Sequence, residues 1–232
     1  MISVIIPTYN EENHIGETIR RLRERDSNNL ITEIIVSDGG STDNTLTEAG
    51  DTGALTIVAA IKGRAAQMNY GASVAKGMIL YFLHADTVPP YGFTNDIINA
   101  INNNYGAGCF MIVFDLAHWF LKANCWFTRF DINAFRFGDQ SLFVTKEIFQ
   151  KTGGFDETHI VLEDQEIIRR LKKLCRFGII KKPVVTSARK YLVNGIYKMQ
   201  GIFFIIYFMY RFGYSQEKLV NIYRQLVKQD KL

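Results

Sequence analysis

Residues 78–83, MILYFL, form an apolar run that ends in His84-Ala85-Asp86, followed by a threonine and, after Val88, two prolines. A strand that only crosses a core closes in a turn residue such as Gly or Asn. Here it closes in two potential metal ligands around a small Ala85. A divalent cation bridging two phosphates needs few protein ligands, because phosphate oxygens and water complete its shell. One carboxylate and a neighbouring side chain at a strand end suffice. The competing reading is that Asp86 caps the turn before Pro89-Pro90 while His84 packs.

Other polar groups fall at similar places. Asp38 follows the apolar stretch EIIVS (33–37) and can accept hydrogen bonds from a nucleoside, or it can open the turn DGGSTDNT, where Asp43 caps the next helix. Lys62 and Arg64 flank Gly63 just before a helical stretch. A diphosphate at a helix N-terminus would meet them there, and a solvated basic turn is the alternative. Glu163 and Asp164 open another helix. They can act as a general base toward an attacking hydroxyl, or they can simply complement the helix dipole. Asp139 in FGDQS is either a turn residue or an acceptor contact. His14, His118 and His159 have no partner at metal-ligand spacing.

The elements that must position these groups alternate. Residues 2–6 (ISVII), 33–37, 55–59 (LTIVA) and 78–83 read as strands, and the segments between them as helices. The strands are continuously apolar, as in a parallel sheet covered by helices on both faces. In such sheets ligands bind at the carboxyl ends of the strands. Pro7 to Glu11, Asp38, Lys62, Arg64, His84 and Asp86 all follow strands and converge on one edge. Further on, 107–114 (AGCFMIVF) and 138–145 read as strands, 118–130 as an aromatic helix, and EDQEIIRRLKKL as a helix entered from a loop.

The chain of 232 residues is 47% hydrophobic and 22% charged, a globular composition. A net charge of +4 suits an anionic small ligand or a membrane surface and is too weak to argue for nucleic acid. Three scattered cysteines, without a CxxC pair, exclude a zinc cluster or disulfide framework and point to a reducing cytoplasm. The start, MISVIIPTYNEE, reads as a strand and not as a signal peptide. Residues 196–214 are strongly apolar and aromatic, but the uninterrupted stretch 201–210 is too short to span a bilayer, which takes about 20 residues. A helix under the sheet, a homodimer contact and a helix lying on a membrane are all compatible with it. A helix starting at Ser215 closes the chain.

The ordered series PTYNE, SDGGSTDNT, GRAAQMNYGA, LHADT, FGDQSLFV and EDQEIIRRLKK resembles a family 2 glycosyltransferase of the GT-A fold over residues 1–190. Within the family it is most similar to the small bacterial radical-SAM/selenodomain-associated transferase 2 subgroup. The resemblance implies an α/β fold with a Rossmann-like, mostly parallel sheet, helices on both faces and a C-terminal helical segment. Residues 1–105 would form the nucleotide-sugar half, 106–190 the acceptor half, and 191–232 a helical extension. It implies a hexosyltransferase that uses Mn²⁺ or Mg²⁺ and a nucleotide-diphosphate sugar, expected to be a UDP-sugar. Pro7, Thr8, Tyr9, Glu11 and Asp38 would contact the donor's nucleoside side. Lys62, Arg64, Asn69, Ala85, Asp139 and Arg189 would complete the donor site, with Asp86 and His84 on the metal. Asp164, with Glu163 beside it, would take the acceptor's proton, inverting the anomeric configuration.

The chain departs from the family pattern at His84, where an acid is usual, and at Gly39, where a second acid is usual. It also lacks the QxxRW-type motif of processive synthases, which excludes processive polysaccharide synthesis. The apolar 196–214 segment suggests a lipid-linked acceptor and a place at the inner face of the cell membrane. Two other readings compete: a degenerate, membrane-peripheral nucleotide-binding module, and a sugar nucleotidyltransferase, which would want a Gly-rich loop where this chain has YNEEN.

Overall fold

The computed structural model describes residues 1–132 and 140–228. An eight-stranded sheet runs in the order β3-β2-β1-β4-β7-β6-β8-β5. Its first half is parallel: β1 (Ile2–Thr8) lies between β2 (Ile31–Asp38) and β4 (Ile79–Phe82), with β3 (Leu55–Val58) outside β2. The helices α1 (Ile15–Arg25), α2 (Thr45–Asp51) and α3 (Arg64–Val74) make the crossovers. The second half is mixed. β7 (Leu142–Thr145) is antiparallel to both β4 and β6 (Ala107–Phe114), β8 (Phe177–Thr186) is parallel to β6, and the two-residue β5 (Thr87–Val88) is antiparallel to β8.

The central apolar strands are buried on both faces because side chains alternate, whereas the edge strand β3, expected from its apolar run to be covered, leaves Leu55 and Val58 exposed. Val4, Ile6, Val36 and Tyr81 point into a core shared with Ile15, Ile19 and Leu22 of α1 and with Phe93 and Ile97 of α4 (Phe93–Asn102). Ile5, Ile35, Leu80 and Phe82 point to the other face. There they meet Met68 and Ala72 of α3, Phe149 of α6 (Lys146–Thr152), and Ile167 and Leu171 of α7 (Glu163–Leu174).

A third apolar cluster joins α5 (Trp119–Phe127), α8 (Arg189–Asn194), α9 (Ile196–Arg211) and α10 (Gln216–Leu226). Met199, Ile202 and Ile206 of α9 are buried in it, while Tyr197, Phe204, Ile205, Phe208 and the following Phe212 are exposed. The apolar 196–214 segment is thus divided: one apolar face packs within the chain and another is exposed. No helix among the described residues is long and apolar enough to cross a membrane. α10 starts as expected, with Ser215 as its N-cap accepting from Lys218 N–H.

The sequence reading does not resolve α4, α6, α8, β5 or β8. β8 carries Lys181, Lys182 and Pro183, which interrupt any apolar run. Its register against β6 shifts there: Phe110 pairs with Ile180 but Met111 with Pro183. Two residues are skipped in the ladder, so the alternation expected of one continuous strand is lost.

Candidate functional site

One cleft of about 460 Å³ lies along the carboxyl edge of the sheet. Pro7, Thr8, Tyr9 and Glu11 reach it from the end of β1, Lys62 to Gln67 from the start of α3, and His84, Ala85 and Asp86 from beyond β4. Glu163 and Asp164 enter from the start of α7, and Ser187, Arg189, Lys190 and Tyr191 from the start of α8. Residues more than 180 positions apart therefore share one wall because each follows a strand or opens a helix on the same edge.

The two acidic ends are fixed by cations. Arg189 holds Glu11 in a two-point contact, Nη1 to Oε2 at 2.8 Å and Nη2 to Oε1 at 2.7 Å. Its Nη2 also lies 3.1 Å from Oδ2 of Asp86. A single guanidinium thus ties the carboxylate after β1 to the one after β4. Arg189 is itself placed by the start of α8, where Ala188 N–H donates to Asp115 Oδ1 at 2.8 Å. Lys62 lies over the ring of Tyr9, 3.6 Å from its centroid.

Glu163 is the most perturbed acid. Its side chain is 1% exposed and its Oε1 is 2.8 Å from Nε of Arg64. Burial pushes its carboxyl up to about 7, against the opposing pull of Arg64, while Asp164 raises it further and His84 lowers it. The residue before it, Leu162, has φ 63, an uncommon left-handed conformation for a bulky residue, and such strain concentrates at functional sites. The rest of α7 is pinned to the preceding loop. Arg170 Nη1 donates to the carbonyls of Thr152 and Gly154 at 2.7 and 2.8 Å, and its Nε to Glu166.

A divalent cation fits here only in part from protein groups. No group of three His, Cys, Asp or Glu side chains gathers among the described residues. Asp86 and His84 suit a cation that takes the remainder of its shell from phosphate and water. Arg189 already neutralises Asp86, so a cation would take this carboxylate only in exchange for the guanidinium.

The glycosyl transferase family 2 model matches residues 3–154, more than half of the chain. The chain belongs to this family. No curated protein sequence matches it. Among solved structures, it is similar to TarS 1–349 from S. aureus in complex with UDP-GlcNAc, with TM-score 0.69 and 18% identity over 81% of this chain. It spans 58% of that TarS fragment's length. The mannosyltransferase PcManGT from Pyrobaculum calidifontis, in complex with GDP-Man and Mn²⁺, has TM-score 0.69 and 19% identity over 97% of this chain and 70% of its own. Glucosyl-3-phosphoglycerate synthase from Mycobacterium tuberculosis, in complex with Mn²⁺, UDP and phosphoglyceric acid, has TM-score 0.65 and 18% identity over 92% and 78%. These likenesses show the GT-A fold: a curled, mostly parallel sheet flanked by helices.

In this family 2 chain the sequence-derived site residues separate into two groups. Pro7, Thr8, Tyr9, Glu11, Lys62, Arg64, His84, Ala85, Asp86, Glu163, Asp164 and Arg189 line the cleft. Asp38 and Asn69 do not. Asp38 is fully buried and organises its own turn: Oδ1 accepts from the N–H of Gly40 and Ser41 at 2.8 and 2.7 Å, and Oδ2 accepts from Thr8 Oγ1 at 3.0 Å. Asn69 clamps the loop before α7, accepting from Phe155 N–H at 2.8 Å and donating to its carbonyl at 2.9 Å. A Cβ at Gly154 would stand 2.7 Å from Asn69 Oδ1, and Gly154 has φ +72, so this clamp needs a glycine there. Asp139 lies outside the described residues.

Sequence reasoning missed Gln67 and Gln200. Gln67 Nε2 donates to the carbonyls of Thr8 and Ser37 at 2.6 and 2.9 Å, joining the ends of β1 and β2. Its side chain lies 3.0 Å from where a Cβ on Gly39 would be. That gives a packing reason for glycine at the position where the family usually has an acid. An isolated glutamine in a helical pattern gives no sequence signal of either role.

Proposed function

We propose that the chain is an inverting glycosyltransferase of hexosyltransferase type that moves a sugar from a nucleotide-diphosphate donor, a UDP-sugar, to an acceptor hydroxyl. The observation that carries the reading is the convergence of Glu11, Arg64, Asp86 and Asp164 on one cleft at the carboxyl edge of a family 2 sheet. It is supported by the UDP-GlcNAc, UDP and GDP-Man held in the similar structures, two of them with Mn²⁺. Membership of the radical-SAM/selenodomain-associated transferase 2 subgroup rests on the stretches SDGGSTDNT, GRAAQMNYGA and EDQEIIRRLKK.

In this reading the donor's nucleoside lies along Pro7, Thr8, Tyr9 and Glu11, with Asp38, through its turn, setting the end of β2 beside them. The diphosphate meets Lys62, Arg64 and the N-terminus of α3, where the first-turn N–H groups and the helix dipole favour anions. Asn69 acts through the loop it clamps, and Ala85 keeps the backbone approach open; a donor role for Asp139, outside the described residues, rests on the family resemblance alone. Asp86 and His84 would hold Mn²⁺ or Mg²⁺, which supplies neutralising charge for the diphosphate when bound. Arg189 exchanges its contact with Asp86 for the phosphates as the donor enters.

Asp164 accepts the acceptor's proton. The acceptor oxygen forms a bond to the anomeric carbon as the bond from that carbon to the diphosphate oxygen breaks, and the diphosphate leaves with the electron pair. Attack from the face opposite the leaving group inverts the configuration. Glu163 keeps Arg64 in place beside Asp164. Residues 1–105 then serve the donor, 106–190 the acceptor and 191–232 extend the acceptor side. The exposed apolar face of α9 supports contact with a membrane's inner surface or a second copy of the chain, and a lipid-linked acceptor.

The test is thermal unfolding with UDP, GDP and CDP, each with and without Mn²⁺. A nucleotide at 100 times its Kd adds about 2.7 kcal/mol of stability. Stabilisation by one nucleotide that requires Mn²⁺ is the expected result. No stabilisation by any of the three overturns the reading.

A further inference from the structure

The cleft does not end at the charged groups. It continues between β6, α8, α9 and α10, where Ile112, Phe114, Val161, Phe203 and Ile206 line it. Of these, Val161 and Ile206, with Phe114 and Phe203 packed against them, belong to the apolar cluster of the C-terminal helices. Phe114 and Phe203 both make edge-to-face contacts with Tyr191, at 5.0 and 6.0 Å between ring centroids. This part of the cleft is an apolar chamber built by the end of β6 together with residues that follow the family 2 match.

One polar group interrupts the apolar wall. Gln200 on α9 lines the cleft and is 2% exposed. Its Oε1 accepts from the Tyr191 hydroxyl at 3.0 Å. Its Nε2 has no hydrogen-bond partner among the described residues. A buried amide donor left unmade is costly, and native structures rarely leave one without a reason. Ile112, Phe114, Val161, Phe203 and Ile206 carry no charge, and the carboxylates of the same cleft, Glu11, Asp86, Glu157, Glu163 and Asp164, come from other segments; of its cations on the C-terminal helices, Arg224 on α10 is exposed and Lys190 on α8 has its Nζ 3.4 Å from the Tyr223 hydroxyl.

We infer that the chamber binds the acceptor, and that the acceptor is an uncharged amphiphilic alcohol. Its apolar body fills the space between Phe114, Phe203 and Ile206, its reacting hydroxyl faces Asp164, and a second oxygen accepts from Gln200 Nε2. The role of acceptor rests on the glycosyl-transfer reading; the binding of such an alcohol does not. An apolar pocket with a single oriented donor is a common recognition scheme, in which shape gives affinity and the polar contact fixes orientation.

Two probes of nearly equal size separate these contributions: 4-(hydroxymethyl)benzophenone, which carries a ketone oxygen, and 4-benzylbenzyl alcohol, which lacks it. The ketone is expected to bind the full chain roughly three- to tenfold more tightly, the range of one neutral hydrogen bond. Gln200→Leu should remove that preference, with Phe203→Ser weakening both probes alike and Phe208→Ser, on the exposed face of α9, changing neither. Irradiation of the bound ketone should label peptides spanning 110–114 and 199–206. Equal affinity of the two alcohols for the unaltered chain, or labelling confined to exposed Tyr197, Phe204 and Phe208, overturns the proposal. Stabilisation by UDP with Mn²⁺ is measured in every variant. It reports folding, and it separates the two ideas. Nucleotide binding without alcohol binding sinks the chamber assignment alone. Alcohol binding at the chamber with no nucleotide binding sinks the glycosyl-transfer reading alone.

Discussion

Glu163→Gln tests the electrostatics of the site through stability. The carboxyl moves from its ordinary 4.5 to about 7 on folding, with burial as the largest cause. Below pH 4.5 it is protonated in the folded and unfolded chain alike, so it adds no pH dependence. Between about 4.5 and 7 the folded chain keeps a proton that the unfolded chain has lost, so stability falls as pH rises. At about 1.4 kcal/mol per pH unit, that interval corresponds to a loss of roughly 3 kcal/mol, complete by pH 8. Glutamine keeps the shape, can still accept from Arg64, and does not titrate. Urea unfolding of both proteins from pH 4.5 to pH 8 gives the difference between them, in which the groups away from Arg64, Asp164 and His84 cancel. The variant should gain about 3 kcal/mol on the unaltered protein across that range, an order-of-magnitude figure for a group facing Arg64, Asp164 and His84. Parallel curves would refute the raised carboxyl. A difference of opposite sign would mean that the ion pair with Arg64 outweighs burial, and that Glu163 is held ionised.

Arg189→Gln leaves the carboxylates of Glu11 and Asp86 without the guanidinium that joins them, and should cost about 2 kcal/mol in urea unfolding, tempered by the partial exposure of the arginine. Added Mn²⁺ should recover more stability in this variant than in the unaltered chain, and equal recovery would separate the cation from Asp86. Asp86→Ala should abolish the Mn²⁺-dependent part of nucleotide stabilisation seen in thermal unfolding, with any nucleotide binding that survives being independent of the cation. Gly71→Ala should destabilise by about 1–3 kcal/mol through overpacking, because the new Cβ would stand 2.6 Å from Cγ2 of Ile5 on β1. Combining it with Ile5→Ala should give a loss smaller than the sum, and strict additivity would place the clash elsewhere.

Much of the first half is legible in the sequence because its signals are local. The runs 2–6, 33–37 and 78–83 are apolar on both faces of one sheet, so composition alone announces them, and the residues just after each strand must lie on the carboxyl edge. That rule brings Glu11, Arg64 and Asp86 together from chain order alone. It cannot separate a residue that lines the edge from one that builds it. Asp38 and Asn69 are at the right places in the chain. Yet their side chains are taken up by Gly40, Ser41 and Thr8, and by both backbone groups of Phe155, and do not line the cleft. Their roles depend on partners up to 88 residues away, which no spacing encodes.

The C-terminal segment shows the opposite limit. Residues 196–214 announce burial strongly but not what they bury against, because an apolar helix has the same pattern under a sheet, in a dimer or on a membrane. What decides the matter is that α9 packs its Met199, Ile202 and Ile206 face onto α10 and α8, so that Phe203 and Gln200 close the end of the cleft. A glutamine in a run such as KMQGIFF reads as a polar residue on the solvent side of an amphipathic helix. Its burial at 2%, with its oxygen taken by Tyr191, reverses that reading. The consequence is physical as well as descriptive. If the extension only stiffened the sheet, apolar substitution at Gln200 would remove a desolvated amide together with the acceptor of the Tyr191 hydroxyl, changing stability without changing discrimination between the two alcohols. If Gln200 serves a ligand, the same substitution erases discrimination for an oxygen while leaving nucleotide binding intact, and these two outcomes are measured on one variant.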